Sequence, residues 1–174
     1  MNLKAYPEAF GKAARRLGET LGRLGREAGV ASAICPNSAD LGALARSLPI
    51  PVLAQHTDPS EPGPHTGRLV AEAIRAAGGA GSLVNHSERP LPEEEVGRVV
   101  RRLSENRLAA VVCARDLPEV WRLSVFRPPY LAIEPPELIG GDVSVSTARP
   151  ALIREVVEAV RETSPTTSVL VGAG

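Results

Sequence analysis

Residues 108–134, LAAVVCARDLPEVWRLSVFRPPYLAIE, contain the pattern that decides the fold. Two short, largely apolar runs, Ala109–Cys113 and Tyr130–Glu134, flank a helical pattern over Leu117–Leu123. The runs are continuous rather than alternating, which is typical of parallel strands buried on both faces. The stretch therefore predicts a strand–helix–strand unit whose two strands are parallel.

The same alternation of apolar runs and amphipathic segments extends along the whole chain. Further strands are predicted at Met1–Ala5, Ala31–Cys35, Val52–Gln55, Ser82–Asn85 and Ser168–Gly172. Further helices are predicted at Ala9–Ala28, Ala39–Ser47, Gly67–Ala77, Glu93–Asn106 and Pro150–Thr163. Seven strands and six helices in alternation fit an open doubly wound sheet or a (β/α)8 barrel.

The spacing of these elements favours the barrel, because one βα unit per roughly 25 residues matches a barrel of about 250 residues. We therefore predict an α/β fold, a (β/α)8 barrel truncated to about seven strands and six helices. Residues 1–174 are predicted to form a single domain that is incomplete at the C-terminus and slightly clipped at the N-terminus.

Composition narrows the class of protein. The 20 basic and 20 acidic residues cancel, which argues against a nucleic-acid or membrane partner. Cys35 and Cys113 each end an apolar run, which favours buried thiols over a disulfide or a metal pair. The N-terminus has no apolar signal-like segment, and the apolar stretch Leu108–Ala114 is too short to cross a bilayer. We predict a cytoplasmic protein without a metal or cofactor.

Polar residues and glycines cluster where the predicted strands end. Asn2 and Lys4 end the first strand, Asn85–Glu88 follows the fourth, Glu134 ends the sixth, and Gly172–Gly174 ends the seventh. The carboxyl ends of strands carry the functional groups of α/β barrels. A lysine, a histidine and a carboxylate beside glycine-rich turns would suit proton transfer on a small phosphorylated substrate.

Three of these motifs together resemble a known family. Asn-x-Lys at 2–4, Asn-His-Ser-Glu at 85–88 and Glu-Pro-Pro-Glu-Leu-Ile-Gly at 134–140 are similar to the sequence marks of triosephosphate isomerases in their short archaeal form. Residues 54–55 and 63–67 resemble the third loop of that family, in register with the rest. From this resemblance the chain is identified as a member that lacks the region of the eighth strand.

The resemblance implies an isomerase of glycolysis and gluconeogenesis that interconverts dihydroxyacetone phosphate and D-glyceraldehyde 3-phosphate through an enediolate. It implies Glu134 as the base and His86 as a neutral electrophile, kept neutral if Ser87-Glu88 opens a helical turn. Lys4 would offset the developing negative charge, and Asn2 would orient the substrate. The predicted substrate-binding residues also include Gly140, Gly172 and Gly174.

The resemblance also implies a lid over residues 135–146, in which Gly140 donates its N–H to the phosphate. The other lid residues are Pro135, Pro136, Glu137, Leu138, Ile139, Gly141 and Asp142. Asp142 stands where the family usually has glycine, and its charge predicts weaker phosphate binding or a shifted lid equilibrium. The family further implies a homodimer or homotetramer in which residues 64–67 reach a neighbouring subunit.

Three other interpretations compete with this one. The strand that runs into Gly-x-Gly at 172–174 resembles the beginning of a dinucleotide-binding fingerprint. A catalytically impaired barrel fragment that acts only as an assembly partner would leave two strand edges open. Another phosphate-binding barrel, such as a biosynthetic synthase, would explain the fold but not Asn2, Lys4, His86 and Glu134 together.

Overall fold

The structure, a computed structural model, describes residues 1–172. These residues fall into two units, which we describe separately. The first comprises residues 1–83 and 105–108, and the second comprises residues 84–104 and the chain from residue 109 onward. The prediction of a single domain over the whole chain stays a prediction.

The first unit is built from parallel strand pairs and helices. Its helices and strands are α1 (Lys12–Ala28), α2 (Leu41–Ser47), β1 (Leu53–Ala54), α3 (Ala71–Ala76) and β2 (Gly81–Val84), of which Val84 belongs to the second unit. Strands β1 and β2 pair in parallel, with Leu53 opposite Gly81. The side chains of Ile34, Val52 and Ile74 form the buried core. The unit therefore repeats the predicted order of strand, helix and parallel strand.

The first two predicted strands are shorter than the sequence suggests. Parallel pairing in this region is limited to isolated bridges, Asn2 with Cys35 and Ile34 with Val52. The first segment ends early because the Asn2 side chain accepts the N–H of Lys4, whose φ of 52° turns the chain. The second ends at Cys35 because the next residue, Pro36, has no N–H to donate.

Three helices begin later than predicted, and a glycine with positive φ precedes two of them, α1 and α3. Helix α2 begins at Leu41, two residues after the predicted Ala39. The predicted helix from Ala9 divides into a 3-10 turn at Pro7–Ala9 and α1, separated by Gly11 with a φ of 53°. Helix α3 begins after Gly67, whose φ is 85°. Leu69 is also held out of the helix, because its N–H donates to the Asp58 carboxylate and its carbonyl accepts the Asp58 N–H.

The second unit contains the parallel strands predicted from residues 108–134. Its helices and strands are α4 (Glu93–Glu105, whose last residue belongs to the first unit), β3 (Ala109–Ala114), α5 (Leu117–Ser124), β4 (Tyr130–Ile133), α6 (Val145–Ala148), α7 (Pro150–Thr163) and β5 (Ser168–Val171). Strand β4 pairs in parallel with β3 on one side and with β5 on the other. Fully buried Leu131 and Ile133 of β4 pack into the core. The strand–helix–strand prediction is confirmed.

Helix α6 was not predicted and lies at the end of the segment predicted to be a lid. Ser144 caps it, with Oγ accepting the N–H of Ser146 at 3.3 Å. Val145 is fully buried and fixes this short helix to the core. The two cysteines, Cys35 and Cys113, are buried free thiols, as predicted. Within residues 1–172, no helix is long and apolar enough to cross a membrane.

Candidate active site

Glu134 is held at the carboxyl end of β4 by backbone hydrogen bonds on both sides. Its N–H donates to the carbonyl of Ala114 at 2.8 Å, and the N–H of Gly172 donates to the carbonyl of Ile133 at 2.9 Å. These bonds continue the β3–β4 and β4–β5 ladders one residue beyond the strands. The carboxylate therefore extends from a rigid edge of the sheet, as a precisely positioned functional group requires.

The structure brings His86 and Glu134 together. His86 Nε2 lies 3.6 Å from Glu134 Oε2, and the two side chains are 9% and 20% exposed. This distance is longer than a hydrogen bond, and among residues 1–172 Glu134 Oε2 has no hydrogen-bond partner although it is buried. A buried carboxylate oxygen without a donor is costly, so it calls for an explanation, and a catalytic role is one.

The turn after His86 selects one neutral form of the imidazole. The N–H of Glu88 donates to His86 Nδ1 at 3.2 Å, and the N–H of Arg89 donates to the His86 carbonyl at 2.7 Å. An Nδ1 that accepts a hydrogen bond carries no proton, so the hydrogen-bond network assigns the N–H to Nε2. The Glu88 carboxylate also lies 3.8 Å from Nδ1, but it is 56% exposed and therefore screened by water. The N–H is thus assigned to Nε2, the nitrogen that lies 3.6 Å from Glu134 Oε2.

A buried carboxylate that the sequence did not indicate lies in the same unit as this histidine. Glu119, on α5, is 6% exposed and accepts hydrogen bonds from Arg115 and from Asn85. Burial alone would raise the pKa of Glu119, but the hydrogen bonds from Arg115 and Asn85 and the Arg115 charge outweigh it and lower the pKa. The sequence held one signal: Asp116-Leu-Pro-Glu119 matches a helix capping pattern, and Asp116 Oδ1 does accept the Glu119 N–H.

In the first unit, Gln55 fixes the backbone around Lys4. Its Nε2 lies within hydrogen-bond distance of the Lys4 carbonyl (2.9 Å), the Cys35 carbonyl (3.1 Å) and Asn2 Oδ1 (3.2 Å). Lys4 has a left-handed backbone, which a residue other than glycine keeps only where surrounding contacts enforce it. Gln55 is therefore a further residue that shapes this predicted site. The roles of Lys4 and Asn2 toward substrate stay predictions.

The predicted lid begins with a 3-10 turn at Pro136–Leu138 and continues through Gly140, whose φ is 73°. Residues 140–144 are exposed. Glu137 forms an ion pair with Arg149, which lies just beyond α6. Glu137, which was predicted only as one of the lid residues, therefore connects the beginning of the lid to the chain just beyond its end.

Gly172 is placed where any side chain would displace the Glu134 carboxylate. A Cβ atom there would lie 2.7 Å from Glu134 Oε1 and 2.8 Å from its Cγ. Gly172 thus makes room for the Glu134 side chain, a role the sequence did not predict. Gly174, predicted to bind substrate, lies with Ala173 outside the described residues.

Parallel strands joined through helices, with a carboxylate and a histidine at their carboxyl ends, are typical of α/β barrel enzymes. The family model of triosephosphate isomerase matches residues 1–174. The chain is similar to the triosephosphate isomerases of Methanoculleus marisnigri (42% identity), Methanothermobacter thermautotrophicus (40%) and Methanothermus fervidus (38%). Each match covers the whole chain and 76–78% of the relative. The chain belongs to the triosephosphate isomerase family and is an isomerase with the predicted fold class.

Proposed function

We propose that this chain interconverts dihydroxyacetone phosphate and D-glyceraldehyde 3-phosphate by proton transfer through an enediolate. The observation that carries the proposal is the placement of Glu134 Oε2. This oxygen is buried, lies 3.6 Å from His86 Nε2 and has no hydrogen-bond partner among residues 1–172. A base and a hydrogen-bond donor side by side are what proton transfer next to a carbonyl requires.

In the proposed mechanism, Glu134 removes a proton from the carbon next to the substrate carbonyl. The electron pair of that C–H bond forms the enediolate double bond, and the carbonyl electrons move to oxygen. His86 Nε2–H donates a hydrogen bond to this oxygen, where negative charge develops. A proton then moves from the hydroxyl oxygen on the deprotonated carbon to the former carbonyl oxygen. Glu134 returns its proton to the neighbouring carbon, the double-bond electrons form that C–H bond, and the new carbonyl forms at the first carbon. Glu134 is regenerated, so that no cofactor is needed.

Charge and solvent exclusion complete the proposed site. Lys4 offsets the negative charge of the enediolate and phosphate, Asn2 orients the substrate, and Gly140 and Gly172 contact it. The lid over residues 135–146 excludes water, which would otherwise allow the enediolate to lose its phosphate group. Asp142 is expected to weaken phosphate binding by like-charge repulsion.

The wider setting of the reaction is part of the same proposal. The proposed substrates support a role in glycolysis and gluconeogenesis, and we propose that the enzyme acts in the cytoplasm. We propose a homodimer or homotetramer in which residues 64–67 reach a neighbouring subunit. Residues 61–68 are all exposed within their unit, which leaves this loop accessible to a second copy of the chain.

Replacing Glu134 by glutamine tests the proposal most directly. Glutamine keeps the size of the side chain but cannot accept a proton, so kcat is expected to fall by about 10²- to 10⁴-fold. Turnover is measured in both directions, together with deuterium incorporation into dihydroxyacetone phosphate in D₂O. The matched control is Glu158→Gln, the same change at an exposed residue of α7.

Isomerisation and deuterium incorporation should be unchanged in Glu158→Gln and should fall together, by about 10²- to 10⁴-fold, in Glu134→Gln. If the folded parent protein does not isomerise either triose phosphate, the proposed function is wrong. If Glu134→Gln is as active as the parent, another group is the base.

A further inference from the structure

We propose that Glu119 positions the catalytic histidine, acting through Asn85 and held in place by Arg115. The inference rests on the proposed function, because it assigns a positioning residue to that site. Glu119 lies in the second unit with His86, and its carboxylate accepts hydrogen bonds from Arg115 and Asn85. Its influence would pass along one chain of side-chain contacts, Arg115–Glu119–Asn85, which ends at the residue before His86.

The first link fixes the Glu119 carboxylate. Oε2 accepts the backbone N–H of Arg115 at 2.8 Å and its Nε–H at 3.0 Å, while Oε1 accepts from Nη2 at 3.1 Å. The flat guanidinium thus binds both oxygens at once, a geometry that leaves the carboxylate little freedom to rotate. A carboxylate that is 6% exposed and bound in this way is a rigid anchor.

The second link fixes the Asn85 amide. Nδ2 donates to Glu119 Oε1 at 3.3 Å and to the Cys113 carbonyl at 3.0 Å. Oδ1 accepts the N–H of Leu91 at 2.9 Å. The NH₂ group and the oxygen of the amide therefore both form hydrogen bonds. Glu119 Oε1 faces the NH₂ group, where only a hydrogen-bond acceptor fits. An amide turned by 180° would set its oxygen against two other oxygens.

The third link is the backbone. Asn85 has a φ of 59°, a left-handed conformation that asparagine tolerates better than most residues but still at a cost. Such a conformation persists where side-chain contacts enforce it. His86 follows directly, so the backbone angles of Asn85 set the direction from which the imidazole approaches Glu134. Loss of the Glu119 acceptor is expected to loosen the direction of this imidazole.

The alternative is that Glu119 only stabilises the turn between β3 and α5. That role would change the stability of the protein and leave His86 unaffected. The two roles differ in their effect on the hydrogen bond between Glu88 N–H and His86 Nδ1, which is detectable in the spectrum of the imidazole itself.

The test compares the parent with Glu119→Gln, Asn85→Gly and the double variant. Glutamine keeps the volume of Glu119 but replaces one carboxylate oxygen by an NH₂ group. In either orientation this NH₂ group faces a hydrogen-bond donor, the Arg115 guanidinium or the Asn85 amide, so one hydrogen bond is lost. Glycine at position 85 keeps the left-handed backbone without strain and removes the amide. The matched control is Glu93→Gln, which removes the same charge from an ion pair with Arg122 whose side chains are about half exposed.

Two readouts are taken on each protein. In ¹⁵N NMR, the His86 imidazole of the parent should show an unprotonated Nδ1 and a protonated Nε2, and Glu119→Gln should shift both resonances toward the average of the two tautomers. In steady-state kinetics, Glu119→Gln should lower kcat about tenfold while KM changes less than about twofold. The double variant should show no loss beyond Asn85→Gly, because the link is already broken there.

Unchanged His86 resonances and kcat in Glu119→Gln, with only a lower Tm, would overturn the proposal, and so would a full additional loss in the double variant. Arg115→Lys keeps the charge but not the two-pronged contact, and its exposed side chain makes it a second test if Glu119→Gln does not fold. If the parent fails to isomerise triose phosphates, the proposed function fails, while the His86 resonances still decide whether Glu119 positions this residue.

Discussion

At the scale of single residues, the site depends on the absence of a side chain at position 172. A Cβ atom at this position would lie 2.7 Å from Glu134 Oε1, which is closer than Cβ atoms come to other heavy atoms in protein structures. All the close contacts, to Oε1, Cγ and Cδ, are with the Glu134 side chain and none with backbone, so the side chain as a whole would have to move. A substitution at this glycine should therefore disturb the position of the base much more than the stability of the protein.

We expect Gly172→Ala to lower kcat by about 10- to 100-fold, because displacing a reacting group by about 1 Å has effects of this size. The Tm should change by no more than a few degrees. Both are measured against Gly42→Ala, which adds the same methyl group on α2 where the nearest atom is the Arg46 guanidinium at 3.3 Å. An unchanged kcat in Gly172→Ala would mean that Glu134 does not need this space.

At the scale of elements, the two ends of the predicted lid are joined by the ion pair between Glu137 and Arg149. The two side chains are 54% and 52% exposed, so the pair should contribute less than about 1 kcal/mol to the free energy of unfolding. Its effect should instead be on the conformation of the segment between the two charges. That segment includes Gly140 and Asp142, which are predicted to lie near the phosphate.

We expect Arg149→Ala to release inorganic phosphate severalfold more often per isomerisation, because a loosened lid admits water to the enediolate. Phosphate release and isomerisation are measured on the same sample, and Glu137→Gln should give the same ratio. Arg154→Ala, at an exposed residue of α7, is the control. A ratio equal to that of the control in both variants would show that the ion pair has no influence on the lid.

At the scale of the whole molecule, each unit contains one buried cysteine, Cys35 in the first and Cys113 in the second. Burial raises the pKa of the Cys35 thiol to about 11, and the nearby N-terminal charge opposes this only partly. The thiolate is the reactive form, so the folded protein should react slowly with thiol reagents at about pH 8. The rate at which each cysteine reacts therefore indicates when its own unit unfolds.

We expect both thiols to become reactive at the same urea concentration, because the chain is predicted to be a single cooperative domain. The measurement is alkylation across a urea titration, with the modified cysteine located by peptide mass. Reaction in unfolding buffer provides the control for full modification. Two separate midpoints would show that the units unfold independently and that the single-domain prediction is wrong.

The raised pKa of the Cys35 thiol also makes the stability of the protein depend on pH. Its folded pKa lies above that of the unfolded chain, so the thiol contributes stability below the unfolded pKa of about 8.5. This contribution is lost as the pH rises toward about 11. The Cys35→Ala variant should lose less stability over that range than the parent, as measured by urea unfolding.

Much of the fold can be predicted from local sequence patterns alone. Continuous apolar runs such as Ala109–Cys113 predict buried parallel strands because both faces of such a strand are covered, and the pairing of β3, β4 and β5 agrees. Element boundaries were less accurate. The beginning of α3 depends on the positive φ of Gly67 and on the bonds between Leu69 and Asp58, which are eleven residues apart.

The candidate site, too, could be predicted from local sequence only in part. The sequence indicated His86 and Glu134 because each belongs to a recognisable local motif. Folding of the chain was needed to place their side chains 3.6 Å apart, to set Gly172 against Glu134, and to join Asn85 to Glu119 across 34 residues. The physical reason is that apolar periodicity is a local property of the chain, whereas hydrogen bonds between strand ends depend on the register in which distant strands pair.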